Sequence, residues 1–270
     1  MIYRLPVAEL QPFIAAIWSC EAGTAPIDQQ RELALPAGTH HLVIRLGEVP
    51  LRLFGSIDAA EAQVVAPAVV GGMRTHAVCK AIDGVGSVGA IVRADAFGLV
   101  REMSATDLSG RHTPLGDLDR LLRMDELIEQ VETGATPEQR LDRFERGLVQ
   151  LFGAAERPDP LMRFALRALD AGARIESLVE QSGMSHRHFC ARFRDMVGLP
   201  PSMYRQVRRF DRLLDVLSPS DRPALAAIAC DLGYADQAHM AREFRACSGL
   251  AISQYERIAK RHPRHVPLPG

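Results

Sequence analysis

The chain has 270 residues, which suggests about two domains, and its hydrophobic fraction of 47% is that of an ordinary globular protein. It contains no run of about 18 apolar residues, so no membrane-spanning helix is expected. Five scattered cysteines without a CxxC pair do not form a disulfide framework, and they favour a reduced, cytoplasmic protein.

Charge is divided unevenly along the chain. Residues 160–270 carry 17 Lys and Arg against 11 Asp and Glu, whereas the remaining residues carry 15 against 22. A basic half joined to an acidic half indicates that one half binds a polyanion, although a merely uneven surface explains the counts equally well.

Roughly the first 115 residues contain short β-rich runs separated by turn-forming residues. The predicted strands are RELAL, HHLVIRL, PLRLFGSI, AQVVAPAVV, THAVCKAI and SVGAIV. The second and third of these runs predict a hairpin whose loop is 47–50. Many short strands at close spacing favour a small barrel or a sandwich over a parallel sheet.

The pattern becomes helical near Leu115. Apolar residues at helical spacing predict an antiparallel helix pair over about 116–153, with Thr136 capping the second helix and Pro137 at its first position. This pair either covers the β-rich domain or contacts a second subunit. The charged, proline-rich segment 156–160 predicts a linker.

The sequence therefore predicts an α+β protein of two domains. A β-rich, barrel-like domain with the helix pair spans 1–155, and an all-α domain spans 161–259. The basic, proline-rich tail 260–270 is expected to be disordered.

The helical domain contains an internal repeat. The segments 178–198 and 228–249 share the same order of features: a glycine, a polar residue, an aromatic or apolar pair, and a second glycine. Corresponding residues are 50 positions apart up to the turn and 51 positions apart after it. Two similar units within one helical domain indicate a duplicated structural element.

Each repeat predicts a helix-turn-helix unit. Gly183 and Gly233 end the first helix, because glycine tolerates positive φ. Ser185 and Asp236 then cap the second helix through their side-chain oxygens. The first turns of such a second helix are the part that enters the major groove of DNA.

These residues resemble the AraC/XylS family of bacterial transcription regulators over about 160–258. The most specific part is IACDLGYADQAHMAREFRACSGLAISQYE, and SMYRQVRRFDRLLDVL matches the helix that bridges the two units in that family. The resemblance implies that both recognition helices enter successive major grooves on one face of the DNA. The N-terminal half is similar, more loosely, to the sensor domains of some members.

The family's base-reading positions fall on outer residues of the two recognition helices. These positions are Arg187, Ala191, Gln237, Ala238 and Arg242. His186, an outer residue of the first turn of the first recognition helix, is a further candidate. Arginine can bind guanine and glutamine can bind adenine through two hydrogen bonds, whereas alanine can contact only a thymine methyl group.

Four further arginines suit contacts with DNA phosphates, which add salt-sensitive affinity without sequence information. They are Arg194, Arg208, Arg209 and Arg245. A solvated surface role is the alternative for each of them.

No catalytic or metal-binding motif is present, so neither catalysis nor a cofactor is expected. Adjacent residues on a strand point to opposite faces, which argues against His40 and His41 as joint metal ligands. Polar and aromatic residues on the N-terminal strands are candidates for a ligand pocket, chiefly Trp18, His40 and Arg74.

The function expected from the sequence is a DNA-binding transcription regulator controlled by a small effector, acting as a homodimer and with RNA polymerase as a further partner. In one alternative the N-terminal domain serves only dimerisation or binds a protein partner. In another, which the missing motifs oppose, that domain is an enzyme.

Overall fold

The computed structural model describes residues 1–23, 30–97, 104–118, 124–153, 155, 159–218, 222–259 and 263–268. The N-terminal part forms two antiparallel sheets with helices, and the C-terminal part is helical. The predicted α+β fold of two parts is thereby confirmed. Residues 156–158 of the predicted linker lie outside the described residues. Asp159 follows them and caps the next helix by accepting a hydrogen bond from the N–H of Leu161.

The first sheet has six strands in the order β1-β2-β9-β4-β7-β10. Its strands are β1 (Ile2–Arg4), β2 (Ile14–Cys20), β4 (His40–Arg45), β7 (Ala68–Gly71), β9 (Ser87–Val92) and β10 (His112–Pro114). The second sheet has five strands in the order β11-β3-β8-β5-β6. Its strands are β3 (Arg31–Ala34), β5 (Leu51–Phe54), β6 (Ala62–Val65), β8 (Val78–Ala81) and β11 (His265–Pro267). Each sheet keeps two edge strands, so the described strands form a sandwich, which is one of the two architectures expected from the sequence, and not a closed barrel.

The predicted hairpin between the second and third runs is wrong. Strands β4 and β5 lie in different sheets, because a short 3₁₀ helix, Leu46–Glu48, carries the chain from one sheet to the other. Gly47 has φ of 72° within this crossing, and Glu48 has φ of 55°. The glycine tolerates this conformation, and the change of direction separates two strands that are adjacent in the sequence.

The helix pair packs on its own domain. After a short helix α1 (Ala105–Leu108), it consists of α2 (Met124–Glu132) and α3 (Pro137–Gly153). Phe144 and Leu148 of α3 are fully buried against the six-stranded sheet, in one cluster with Leu42 of β4. The structure thus favours the first of the two alternatives for the pair, which covers the outer face of this sheet.

The C-terminal domain consists of seven helices among the described residues. They are α4 (Pro160–Asp170), α5 (Ile175–Ser182), α6 (His186–Val197), α7 (Pro201–Leu217), α8 (Leu225–Asp231), α9 (Gln237–Ser248) and α10 (Ile252–Ile258). The second repeat packs on the five-stranded sheet, since Leu33 and Cys79 share a buried cluster with Phe244. None of the described helices combines the length and the hydropathy needed to cross a membrane.

The expectation of a disordered tail is wrong for residues 263–268. Strand β11 pairs antiparallel with β3, with Val266 opposite Leu33, and the side chain of Val266 is fully buried. Arg264 forms ion pairs with Asp211 and Asp215 of α7. The tail is ordered because Val266 packs against β3 and Arg264 pairs with α7. The proline-rich composition of the tail does not indicate these distant contacts. Residues 260–262 and 269–270 lie outside the described residues.

Candidate DNA-binding surface and effector region

Both repeats form the expected helix-turn-helix geometry. Gly183 and Gly233 have φ of 67° and 73°, and each lies where the first helix of its unit ends. Ser185 accepts a hydrogen bond from the N–H of His188 at 3.3 Å. Its counterpart in the second unit, an aspartate, forms the equivalent bond at 2.6 Å. Each cap satisfies a backbone donor that the first turn of the helix leaves free.

The interior of the two units is duplicated as well. The rings of Phe193 and Tyr204 meet edge to face with centroids 5.7 Å apart. Phe244 and Tyr255, each 51 residues later, meet in the same way at 5.3 Å. All four rings are buried. The repeat is therefore one of packing as well as of sequence, and it fixes the two recognition helices, α6 and α9, in equivalent local frames.

The predicted base-reading residues share one property: their side chains are exposed on the first two turns of the recognition helices. They are His186, Arg187, Ala191, Gln237, Ala238 and Arg242. Among the described residues, the side chains of Arg187, Gln237 and Arg242 have no hydrogen bond or ion pair within the protein. These donors are available to a partner outside the chain.

The opposite end of the first recognition helix contacts the N-terminal domain. Thr106 of α1 donates a hydrogen bond to the carbonyl oxygen of Arg194 at 3.0 Å, and Ser104 donates to the carboxylate of Asp195 at 2.7 Å. Gly198, just after the helix, lies so close that a Cβ there would be 2.7 Å from the carbonyl oxygen of Ala105. The N-terminal domain thus holds the end of α6 and leaves its first turns exposed.

The four predicted phosphate-binding arginines divide into two groups. The side chains of Arg194 and Arg245 are exposed and have no partner among the described residues. In contrast, Arg208 forms ion pairs with Asp170 and Asp211, both at 2.8 Å. Free guanidinium groups on the exposed face fit phosphate contacts.

The structure does not fit a phosphate role for Arg208 or Arg209. Arg209 donates to both carboxylate oxygens of Glu243 and to the carbonyl oxygen of Gly233, so its donors are in use. Arg208 also donates to the carbonyl oxygen of Ala37 in the N-terminal domain, at 3.1 Å. Both arginines bind other parts of the protein, which the basic sequence around them does not indicate.

The predicted ligand residues Trp18 and His40 do not share a pocket. His40 is fully buried between the domains, where the N–H of Met73 donates to its Nδ1 at 3.1 Å and its Nε2 lies 3.3 Å from the carbonyl oxygen of Ala94. Trp18 lies over Gly89, on the opposite face of the six-stranded sheet. Burial lowers the pKa of His40 to about 4, so its imidazole is neutral at pH 7.

Burial is the main cause that lowers the pKa values of His41 and His112. The charge of Arg74, the third predicted ligand residue, lowers both pKa values further. Burial lowers the pKa of His41 to about 3 and that of His112 to about 4. Neither histidine is among the predicted ligand residues. The alternation of side chains along a strand could have indicated His41. It places His41 on the opposite face from its neighbour His40, between the two sheets.

No group of three or more His, Cys, Asp or Glu in the described part of the chain could hold a metal ion. The N-terminal domain has a surface groove of about 820 Å³ on the five-stranded sheet. In this groove the guanidinium of Arg31 lies over the ring of Phe54, with 3.7 Å between Cζ and the ring centroid. The groove is separate from the surface formed by the recognition helices.

Comparison with known proteins adds a family match for the C-terminal domain. A family model described as a helix-turn-helix domain matches residues 178–258. This range contains both units and the bridging helix α7, and the model is of the AraC type. No curated protein matches the chain.

Several solved structures are similar to the chain at low sequence identity. ToxT from Vibrio cholerae is 10% identical, with a TM-score of 0.44 over 89% of this chain and 96% of that chain. ToxT from strain SCE256 with a bound unsaturated fatty acid is 11% identical, with a TM-score of 0.42 over 89% of this chain and 93% of that one. The C-terminal domain of AraT, a response regulator from Geobacillus stearothermophilus, is 20% identical, with a TM-score of 0.35 over 38% and 88% of the two chains.

The duplicated turn geometry, the exposed first turns and the family match agree. Residues 178–258 of this chain are similar to helix-turn-helix domains of the AraC type.

Proposed function

We propose that the protein is a sequence-specific regulator whose helices α6 and α9 enter successive major grooves of one DNA site in the cytoplasm. The observation that carries this proposal is the set of exposed, unpaired donors on the first turns of both helices. Arg187 and Arg242 suit guanine, and Gln237 suits adenine. Ala191 suits only a thymine methyl group, so the first unit recognises bases chiefly through Arg187 and His186.

The test of base recognition is the substitution Arg242→Ala. Loss of a bidentate contact costs about 1–3 kcal/mol, so affinity for the selected operator should fall roughly 5- to 150-fold while affinity for random DNA changes little. The control is Arg167→Ala, because Arg167 is exposed on α4, outside both units, and its side chain has no partner among the described residues. The site is first selected from random DNA. Equal losses on operator and random DNA would contradict base recognition by Arg242.

We further propose that a small effector bound by the N-terminal domain controls DNA binding. The support is that the domains share several specific contacts. Arg163 of α4 pairs with the buried Asp95 at 3.0 Å, and Arg208 of the bridging helix donates to the N-terminal domain. A ligand with different affinities for two arrangements of these contacts would change how α6 and α9 are presented.

The alternative, an N-terminal domain that only dimerises or binds a protein partner, makes a different prediction. Operator affinity would then depend on protein concentration and not on any small molecule. Titrating the operator across a panel of metabolites, with light scattering to measure the oligomeric state, separates the two possibilities. Homodimerisation belongs to the proposal in both cases, and RNA polymerase is the further partner if the protein activates transcription. The absence of a catalytic motif in the sequence disfavours an enzyme.

A further inference from the structure

The groove of about 820 Å³ lies on the outer face of the five-stranded sheet, the face turned away from the six-stranded sheet. Leu53 of β5 packs between the two sheets, so its neighbours Arg52 and Phe54 point outward. Arg31 of β3 is opposite Ala81 of β8 in the same sheet, and both line the groove. The groove thus brings two arginines from different strands to one surface, with a small alanine on the strand between them.

The guanidinium of Arg31 is held in place within the groove. Its Cζ lies 3.7 Å from the centroid of the Phe54 ring, and its Nη1 donates to the carbonyl oxygen of Ile57 at 2.8 Å. Its Nε and Nη2 have no hydrogen-bond partner among the described residues. Because stacking and one hydrogen bond already fix this cation, it loses little conformational freedom when an anion binds to its two free donors.

Arg52 supplies a second cation in the same groove. It is two residues before Phe54 on β5, so both side chains start on the same face, about 7 Å apart along the strand. The side chain of Arg52 is exposed and forms no hydrogen bond or ion pair within the described part of the chain. Asp83, whose carboxylate interacts with the charge of Arg52, is already paired with Arg45 at 2.5 Å. An anion that contacts both groove arginines would therefore find their charges unpaired.

The other residues of the groove limit the rest of the ligand. Asp58 and Gln30 are exposed there, and their side chains have no partner among the residues that the structure describes. Their oxygens can accept hydrogen bonds from hydroxyl groups, and the charge of Asp58 disfavours a second anionic group. Ile57 and Leu268 add apolar surface. The lining suits a polar, hydroxylated body that carries a single anionic group.

The charge of the groove favours a phosphoryl group as that anionic group. A carboxylate carries one negative charge on two oxygens, whereas a phosphate monoester carries about −1.5 to −2 at pH 7 and has three terminal oxygens. Two guanidinium groups can donate to different oxygens of one phosphoryl group. The volume of the groove lies within the range of about 300–1,000 Å³ that is usual for small-molecule sites.

We propose that this groove binds a hydroxylated phosphate monoester. Arg31 and Arg52 bind the phosphoryl group, and Asp58 and Gln30 accept hydrogen bonds from the hydroxyl groups. This inference rests on the proposed effector control, and it names the chemical class of the effector and its site.

The groove borders the contacts that support the second helix-turn-helix unit. Phe54 packs against the buried cluster that contains Phe244 of α9. The N–H of Leu268 donates to the carbonyl oxygen of Arg31 at 2.8 Å, in the same tail whose Arg264 pairs with the bridging helix. A phosphoryl group that draws the guanidinium of Arg31 away from Phe54 alters this contact, and through it the support of α9.

The test is thermal unfolding of the full chain with glycerol phosphate, a hexose phosphate and ethyl phosphate, compared with their parent alcohols, succinate and inorganic phosphate. Wild type should gain roughly 5 °C at about 100 times the Kd of a hydroxylated monoester and nothing from the alcohols. Arg52→Met should fold normally, because Arg52 is exposed and unpaired, and should bind the monoester at least about tenfold more weakly. The matched control is Arg111→Met, which removes an exposed arginine of the six-stranded sheet whose side chain has no described partner, and it should bind as wild type does.

A second variant tests the hydroxyl end of the site. Asp58→Asn removes a negative charge from the groove, so ethyl phosphate should bind more tightly. The preference for glycerol phosphate over ethyl phosphate should also shrink, because an amide oxygen is a weaker acceptor than a carboxylate. An unchanged preference would contradict the assignment of Asp58 to the hydroxyl groups.

Three results would overturn the phosphate site. They are no gain with any monoester, undiminished affinity in Arg52→Met, and binding of inorganic phosphate or succinate as tight as that of glycerol phosphate, which would indicate an adventitious anion only. Failure of effector control is a separate result. In that case the monoester stabilises wild type and not Arg52→Met, and operator affinity stays unchanged.

Discussion

The guanidinium of Arg209 lies over the ring of Tyr234, with its Cζ 4.2 Å from the ring centroid. The same group pairs with Glu243 at 2.5 Å, and the side chain of Glu243 is only 8% exposed. Arg209 is on the bridging helix and Glu243 is on the second recognition helix. The pair therefore fixes the orientation of α9 relative to α7, which is a structural role in place of the predicted phosphate contact.

Arg209→Ala should destabilise the protein by about 3–5 kcal/mol, because it removes the guanidinium partner of the buried carboxylate of Glu243. The double variant Arg209→Leu/Glu243→Leu should recover most of this loss, since no charge then remains buried. Urea unfolding of the two variants and of wild type measures the difference. A stable Arg209→Ala protein whose DNA affinity has become less sensitive to salt would instead restore the phosphate role.

Arg194 and Arg245 remain the predicted phosphate contacts. Each single alanine variant should lower the slope of log affinity against log salt concentration by about 0.9, because one fewer counterion is released from the DNA. Sequence preference should not change. The measurement is fluorescence anisotropy on operator and random DNA between low and moderate salt. A slope equal to that of wild type would remove the arginine concerned from the interface.

Local features of the fold could be predicted from the sequence, whereas partners distant in the sequence could not. The caps Ser185 and Asp236 accept from backbone N–H donors three residues further along the chain, so their pattern is visible in the sequence. Arg209 finds its partner 34 residues away, and Arg208 binds Ala37 at a separation of 171 residues. Nothing in the composition around either arginine distinguishes it from Arg194. The predicted hairpin of β4 and β5 failed for the same reason, because β4 pairs with β7 and β9, which lie further along the chain.

Histidine burial predicts that the protein is sensitive to acid. The pKa of His40 is lowered by burial to about 4, against 6.5 for an exposed histidine. The unfolded chain therefore binds a proton as the pH falls below about 6.5, whereas the folded chain binds it only near 4. The contribution of neutral His40 to the free energy of unfolding is therefore complete above pH 6.5, and it is lost as the pH falls from 6.5 to 4.

His40→Gln should flatten this pH dependence. Glutamine can accept from the N–H of Met73 and donate to Ala94, as the histidine does, and it does not titrate. The melting temperature of wild type should drop more steeply between pH 6.5 and 4 than that of the variant. His186→Gln is the control, because His186 is exposed on α6. Parallel curves for His40→Gln and wild type would show that His40 does not contribute.

The C-terminal strand should hold the two domains together. Val266 is fully buried between β3 and the second helix-turn-helix unit, whereas the adjacent Pro267 is exposed. Val266→Ala leaves a cavity at this contact and should cost about 2 kcal/mol, while Pro267→Ala should cost little. Trypsin should also cleave after Arg264 faster in Val266→Ala, because the strand leaves the sheet more often. Equal stability and equal cleavage rates in both variants would mean that β11 does not join the domains.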